Sequence, residues 1–229
     1  MLPTAGVDSS SLSSLSLYDC LEQAKLLLLK GGGDGGNDGD TLVLSVFEGL
    51  FRKISAATDP FSMGGEGDED IASGNSNFRT HMLAIDQVIE LMVTNASAKS
   101  VVLEAFIRHI AALPSHSMLP FIDAIPAIFG CCDNRMIEDL AGVLFSTVED
   151  PCRRDRSEIL LRLLHALSEL PLSKQLAYTV TNLTYAVMED AVPAEMSSLL
   201  RIVLRSGSSP GAGRAIFLWR DKVGAEQQL

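Results

Sequence analysis

The side chains that could do acid–base or nucleophilic chemistry are spread along the chain. The four histidines, His81, His109, His116 and His165, fall on different helical segments. Two of them, His109 and His165, each adjoin an apolar residue of a helical stripe, which predicts a place at the edge of a core. None of the many serines lies in the Gly-x-Ser-x-Gly pattern of a nucleophile elbow. We therefore predict no catalytic residue and a protein that is not an enzyme.

The cysteines do not form a metal or disulfide framework. Cys20 and Cys152 stand alone, and the adjacent pair Cys131–Cys132 cannot easily form a disulfide or chelate a metal tetrahedrally. No Cys-x-x-Cys is present. This usage predicts reduced thiols and an intracellular protein without a bound metal.

Two stretches rich in glycine and aspartate, 31–40 and 58–76, lack periodicity and are predicted to be flexible insertions. The run GGGDGG lacks the Lys-Ser/Thr ending of a phosphate loop, and its aspartates would repel phosphate. Four oxygen-bearing residues resemble a calcium loop without the glutamate at its twelfth position: Asp34, Asn37, Asp38 and Asp40. We therefore predict no nucleotide, metal or other cofactor. Residues 1–14, rich in serine, are predicted to be disordered.

One basic cluster, Arg153, Arg154 and Arg156, lies at the start of a predicted helix. It is a candidate polar interface or phosphate patch, and the interface is favoured because acidic residues are interleaved with the arginines: Asp150, Asp155 and Glu158. The chain has 29 acidic and 18 basic residues and a net charge of −11. Such a chain is repelled by nucleic acid and by anionic lipid, so membrane binding is not expected, nor is DNA binding by the isolated chain.

Apolar residues make up 47% of the chain and aromatic residues 6%, a mixture that favours helix packing. Apolar residues recur at steps of three and four, and no stretch alternates as a strand does. Two such stripes are Phe78, Met82, Ile85, Ile89 and Met92, followed by Leu160, Leu164 and Leu167. The pattern predicts an all-α chain of about ten helices, at 15–30, 41–57, 77–94, 97–113, 118–130, 134–149, 154–169, 171–190, 193–206 and 210–224.

The predicted helices repeat with a regular stride. Helix pairs open near residues 77, 118, 154 and 193, so the spacing is about 36 to 41 residues. This period is typical of HEAT-like α-solenoids, in which antiparallel helix pairs stack on one another. We expect Pro120 at the start of its helix, where the missing N–H costs nothing. Pro126 is expected inside that helix, where it produces a kink.

The last predicted helix contains the apolar run AIFLW. We expect one side of it to be buried, formed by Ile216, Phe217, Trp219 and Val223. In a solenoid such a side is covered by a further helix layer. The expectation is therefore that the solenoid of residues 15–229 is the N-terminal part of a longer protein.

Several blocks resemble a known family. They are FRTHMLAIDQVIELMV, LPSHSMLPFIDAIPAIFG, RMIEDLAGVLFSTVED, EILLRLLHALSELPLSKQLAYTV and MEDAVPAEMSSLLRIVLRS. In order and spacing they are similar to the N-terminal solenoid of the Fanconi anaemia group D2 proteins. The resemblance extends over about residues 15 to 220, and the glycine-rich insertions have no counterpart in it.

The resemblance implies a non-enzymatic scaffold segment of a nuclear protein of interstrand-crosslink repair. Its expected partner is a Fanconi anaemia group I-like protein, and its expected contact with DNA occurs only within the full complex. The family protein is monoubiquitinated on a lysine that lies beyond the part resembled here. No lysine of this chain is therefore assigned as the ubiquitin acceptor: Lys25, Lys30, Lys53, Lys99, Lys174 and Lys222. The alternative is an unrelated HEAT-type adaptor for protein–protein interaction.

Overall fold

A computed structural model describes residues 15–30, 37–56, 71–95, 100–149, 155–207 and 209–226. These residues form ten α-helices, one 3-10 turn (Ile110–Ala112) and no strand. The helices are α1 (Leu17–Lys30), α2 (Asn37–Ala56), α3 (Ile71–Asn95), α4 (Ser100–His109), α5 (Ser115–Phe129), α6 (Asn134–Glu149), α7 (Arg156–Ser168), α8 (Lys174–Asp190), α9 (Pro193–Arg205) and α10 (Ser209–Glu226). The predicted all-α class is confirmed, and the helices pack in neighbouring pairs as in an α-solenoid.

The two predicted insertions are shorter than expected. Helix α2 begins at Asn37 and α3 at Ile71, so residues 37–40 and 71–76 are helical and not part of a loop. The rest of both insertions lies outside the described residues, as does the predicted disordered segment 1–14.

The chain divides into two compact units, residues 1–121 and 122–229. In the first unit, α2 packs against α1 and α4, and α1 also contacts α3. Four phenylalanines, Phe47, Phe51, Phe106 and Phe121, are fully buried, with neighbouring ring centroids 5.3 to 6.3 Å apart. Tilted aromatic pairs at this distance stabilise a core by about 0.5–1.5 kcal/mol each beyond area burial. The period in the sequence predicts that α4 pairs with α3. In the structure, the main partner of α4 is α2.

In the second unit, helices α6 to α10 each pack against the next helix along the chain. In addition α7 contacts α9, and α8 contacts α10, so helices one pair apart also touch. The connections are short: residues 169–173 join α7 to α8, and residues 191–192 join α8 to α9. Contacts of both kinds are what a stack of helix hairpins requires.

Polar contacts between helices join residues that lie about one repeat apart in sequence. In the second unit, Arg162 contacts Asp123, Ser173 donates to Glu138, and Arg205 contacts Glu169, at sequence separations of 39, 35 and 36 residues. In the first unit, His81 and Ser117 are hydrogen-bonded at a separation of 36 residues. These four contacts therefore recur with the period read from the sequence, whereas the Trp219–Ser197 and Lys25–Gln87 hydrogen bonds join residues 22 and 62 apart.

Helix α5 contains both prolines of the run LPFIDAIPAIFG. It begins at Ser115, so Pro120 lies in its second turn and not at its start, contrary to expectation. The helix continues through Pro126 to Phe129, as expected, and the apolar stripe of Ile122, Ile125 and Phe129 stays buried. Each proline lacks an N–H, so α5 loses two backbone hydrogen bonds that a helix normally makes.

Helix α10 turns a different face to its neighbours than the sequence indicates. Ile216 and Phe217, expected to be buried, are 46% and 68% exposed, while Ala215 is fully buried. Trp219 is half-buried and donates its Nε1–H to Ser197 Oγ on α9 at 3.3 Å. The five consecutive apolar residues of AIFLW cover the whole circumference of the helix, so their pattern cannot select a face. The close approach of Gly211 to α8 selects it instead.

We predict opposite effects for two glycines of α10. A Cβ at Gly211 would overlap Thr181 Cγ2 on α8, whereas a Cβ at Gly213 meets no atom within 4 Å. Gly211→Ala should lower the free energy of unfolding by about 1–3 kcal/mol through overpacking. Gly213→Ala, the matched control, should raise it by about 0.4–1 kcal/mol because alanine restricts the unfolded chain. Urea unfolding of the two variants measures both changes, and equal effects would contradict this packing.

Candidate functional site

The predicted basic patch is only partly within the described residues. Arg156 is the first residue of α7 and is exposed, whereas Arg153 and Arg154 lie outside the described residues. Of the acidic residues expected to pair there, Glu158 lies 3.5 Å from Arg162, one turn further along α7. Arg162 also contacts Asp123 on α5, and so joins two helices.

Arg162 belongs to a groove in the second unit, which we call the α7 groove. It is a cavity of about 420 Å³ to which α5, α7 and α9 contribute residues. It is lined by Asp123, Pro126, Leu161, Arg162, His165, Ala166, Glu169 and Ser198. The three helices stand one repeat apart, so the groove runs across the stack and not along one hairpin.

The sequence of α7 places charged residues on the groove side. Glu158, Arg162, His165 and Glu169 recur at steps of four, three and four, which aligns them on one exposed face. The opposite face is an apolar stripe buried in the core: Ile159, Leu163, Leu164 and Leu167. Burial of that stripe fixes the rotation of α7 and so directs the charged face outward.

Arg162 is bound by two carboxylates. Its Nη1 donates to Asp123 Oδ2 on α5 at 2.5 Å, and its Nη2 contacts Glu158 Oε1 at 3.5 Å. All three side chains are about half exposed, so the pairs contribute only about 0–1 kcal/mol to stability. The Asp123 pair links the side chains of α5 and α7 across the groove, whereas the Glu158 pair lies within α7.

A second ion pair lies at the other end of α7. Arg205, in the last turn of α9, donates to Glu169 Oε1 at 2.6 Å, and His165 Nδ1 lies 3.9 Å from the same oxygen. His165 was expected at the edge of a packed face, but its side chain is 47% exposed in the groove. His109, by contrast, is half-buried and stacks on Phe51 at 6.4 Å, as a core-edge residue does.

The fold brings together two histidines that the sequence places on separate segments. His81 on α3 and His116 on α5 have ring centroids 6.5 Å apart, and His81 Nε2 lies 3.3 Å from Ser117 Oγ. A serine beside an imidazole can act as a nucleophile beside its base. Ser117 is fully buried, however, so no substrate reaches its hydroxyl, and the pair serves to join α3 to α5.

His81 is a core residue that sequence reasoning missed. The buried line of α3 is centred on His81, Ile85, Val88 and Met92, whereas Met82 and Ile89 are only half-buried. The buried residues follow His81 at steps of four, three and four, which is the spacing of one helix face. A search for apolar residues misses this spacing because it does not count histidine. Burial, followed by the charge of the nearby His116, lowers the pKa of His81 below its usual value of 6.5.

The thiols differ in their surroundings. Cys20 is buried, Cys131 is exposed and Cys132 is half-buried, while Cys152 lies outside the described residues. Burial raises the pKa of Cys20 and of Cys132, so both are less readily ionised than an ordinary thiol.

The described ranges bear on metal and membrane binding in two ways. Among these residues no group of three or more His, Cys, Asp or Glu side chains could hold a metal ion. Within the same ranges, no helix has the length and apolar character required to cross a bilayer.

No protein-family model, curated protein or solved structure matches this chain. The class to which it belongs is therefore defined by its own architecture. It is an all-α protein whose helices pack in neighbouring pairs, with a charged groove across three helices of its second unit.

We predict that stability falls when the pH drops below about 6.5, because His81 is neutral in the fold. Its pKa is lowered in the native state, so unfolding takes up a proton between the native pKa and the unfolded value. The stabilisation is complete above about pH 6.5 and is lost as the pH falls toward the native pKa. Urea midpoints from pH 7.5 to 5.0 should therefore decline for the wild type and decline less for His81→Gln. A decline of equal size in both proteins would exclude His81 as its source.

Proposed function

We propose that this chain is a non-enzymatic helical-repeat scaffold that binds another protein. The observation that carries the proposal is the α7 groove, where three helices one repeat apart bring half-exposed charged residues of α5 and α7 and the Ser198 hydroxyl of α9 together with apolar residues. A surface built from successive repeats suits an extended partner, which can contact each repeat in turn. The one serine–histidine pair found is buried and far better suited to holding helices than to catalysis.

More specifically, we propose that the scaffold works in interstrand-crosslink repair in the nucleus. The support is the resemblance of its helical blocks to the N-terminal solenoid of the Fanconi anaemia group D2 proteins. By that resemblance, its partner is a group I-like protein, and it meets DNA only within the full complex. None of the six lysines of the chain is proposed as a ubiquitin acceptor.

The second candidate is an unrelated HEAT-type adaptor. One observation supports it without the resemblance: helices α6 to α10 pack in neighbouring pairs, and helices one pair apart also touch, as in any stack of helix hairpins. Both candidates are scaffolds, so they differ in the partner and not in the mode of action.

Co-expression with the group I-like protein of the same organism tests the choice between them. The repair scaffold should co-purify with it in a stoichiometric complex through size-exclusion chromatography. The control is an unrelated helical-repeat protein of similar charge in place of the group I-like protein. Failure to co-purify with the group I-like protein would contradict the repair assignment and favour the adaptor.

The isolated chain should bind duplex DNA weakly. Its net charge is −11, and Arg162 in the α7 groove and Arg205 beside it are already paired with carboxylates. A gel-shift titration at physiological salt should give no submicromolar complex. Submicromolar, salt-sensitive binding that is lost in Arg153→Ala with Arg154→Ala would instead identify the basic cluster as a phosphate patch.

A further inference from the structure

We propose that the α7 groove binds a basic segment of the partner protein. In this arrangement an arginine or lysine of the partner lies among the groove's carboxylates, and its methylene stem packs on the groove's floor. The inference rests on the proposed scaffold function and deepens it, because it names the chemistry that the scaffold recognises.

The charges of the groove favour a cation as the occupant. Two carboxylates, those of Asp123 and Glu169, line the cavity together with the Arg162 guanidinium. At its edge, Glu158 contacts Arg162 and Arg205 contacts Glu169, so three carboxylates stand against two guanidinium groups. Both guanidinium groups have a carboxylate oxygen within 2.6 Å, so an incoming anion would have to displace it. The carboxylates are 38–55% exposed, and each oxygen can accept more than one hydrogen bond. A further guanidinium or ammonium group therefore finds acceptors without breaking an existing pair.

Pro126 leaves one backbone acceptor of α5 without its usual helix donor, one residue before Asp123. Pro126 lines the groove and has no N–H, so the carbonyl of Ile122 lacks the donor that a helix normally supplies four residues later. Asp123, the next residue, presents its carboxylate to the groove. The Ser198 hydroxyl on α9 also lines it and can accept a hydrogen bond. Pro126, which interrupts the hydrogen bonding of α5, thus lines the same groove as the acceptors Asp123 and Ser198.

The floor of the groove suits the stem of a long basic side chain. Pro126 and Leu161 are half-buried and apolar, and Ala166 is buried. Lysine and arginine pack their methylene groups on apolar surface while the charged end stays among polar groups. Both parts of such a side chain therefore have a counterpart in this groove.

Peptide binding to the full chain tests the proposal directly. The probe is a fluorescein-labelled peptide of about twelve residues with alternating arginine and leucine, and its counterpart has glutamate in place of arginine. Fluorescence anisotropy should give a Kd about tenfold lower for the arginine peptide. The double variant Asp123→Asn with Glu169→Gln should weaken that binding about tenfold, because it removes two of the three carboxylates. Ser198→Trp, which fills the groove, should abolish it.

A matched control separates the groove from the net charge. Asp139→Asn with Glu189→Gln removes two exposed carboxylates of α6 and α8 that do not line the groove. This control should change the Kd less than twofold, with an unchanged circular dichroism spectrum for every variant. Equal weakening by both double variants, equal binding of both peptides, or no saturable binding would overturn the proposal. Binding of duplex DNA that Ser198→Trp abolishes would overturn it as well.

The scaffold function and the groove can fail separately. If the group I-like protein co-purifies equally with the wild type and with the groove double variant, the scaffold stands and the groove is not its contact. If that protein does not co-purify but the arginine peptide binds in the groove, the repair assignment fails and the groove's chemistry stands.

Discussion

The burial of apolar stripes between helices one repeat apart is the interaction on which the rest of the second unit depends. Leu163, Leu164 and Leu167 of α7 are buried, and α7 packs on α6, α8 and α9. Burying a leucine side chain stabilises a fold by about 1.5–3 kcal/mol, whereas an exposed ion pair contributes about 0–1 kcal/mol. The stripes therefore set the positions of the helices, and the ion pairs along the groove occupy positions that packing has already determined.

The small contribution of the exposed ion pairs to stability determines what the groove can do. Since its ion pairs contribute little to stability, its side chains can exchange partners at low cost when a ligand arrives. A buried pair does not have this freedom, because breaking it leaves an uncompensated charge. The His81–Ser117 hydrogen bond in the first unit is neutral and buried, so its substitution would leave an unpaired buried polar group and affect folding first. The proposed recognition therefore belongs to the half-exposed face of α7, and structural coupling belongs to the buried polar contact.

The sequence predicts the helices well because their stripes are long and regular. Ile137, Leu140, Leu144 and Val148 are all buried, as their spacing indicates, and the repeat period reappears in the contacts between helices. Prediction fails where a pattern is ambiguous, as in the five consecutive apolar residues of α10, or where a polar residue takes a core position, as His81 does. The groove could not be predicted, because its lining residues come from three helices and only α7 carries a recognisable charged face.

Pro126 connects the fold to the groove. A proline inside a helix costs about 3 kcal/mol or more, so its presence requires compensation from elsewhere. Part of the compensation is packing, because Ile122, Ile125 and Phe129 remain fully buried on both sides of it. Gly130 is also adapted to the site, since a Cβ there would lie 2.6 Å from the carbonyl oxygen of Pro126. The interruption removes the helix donor of the Ile122 carbonyl, one residue before Asp123, which lines the groove. The same proline thus weakens α5 as a helix and equips it as one wall of a binding groove.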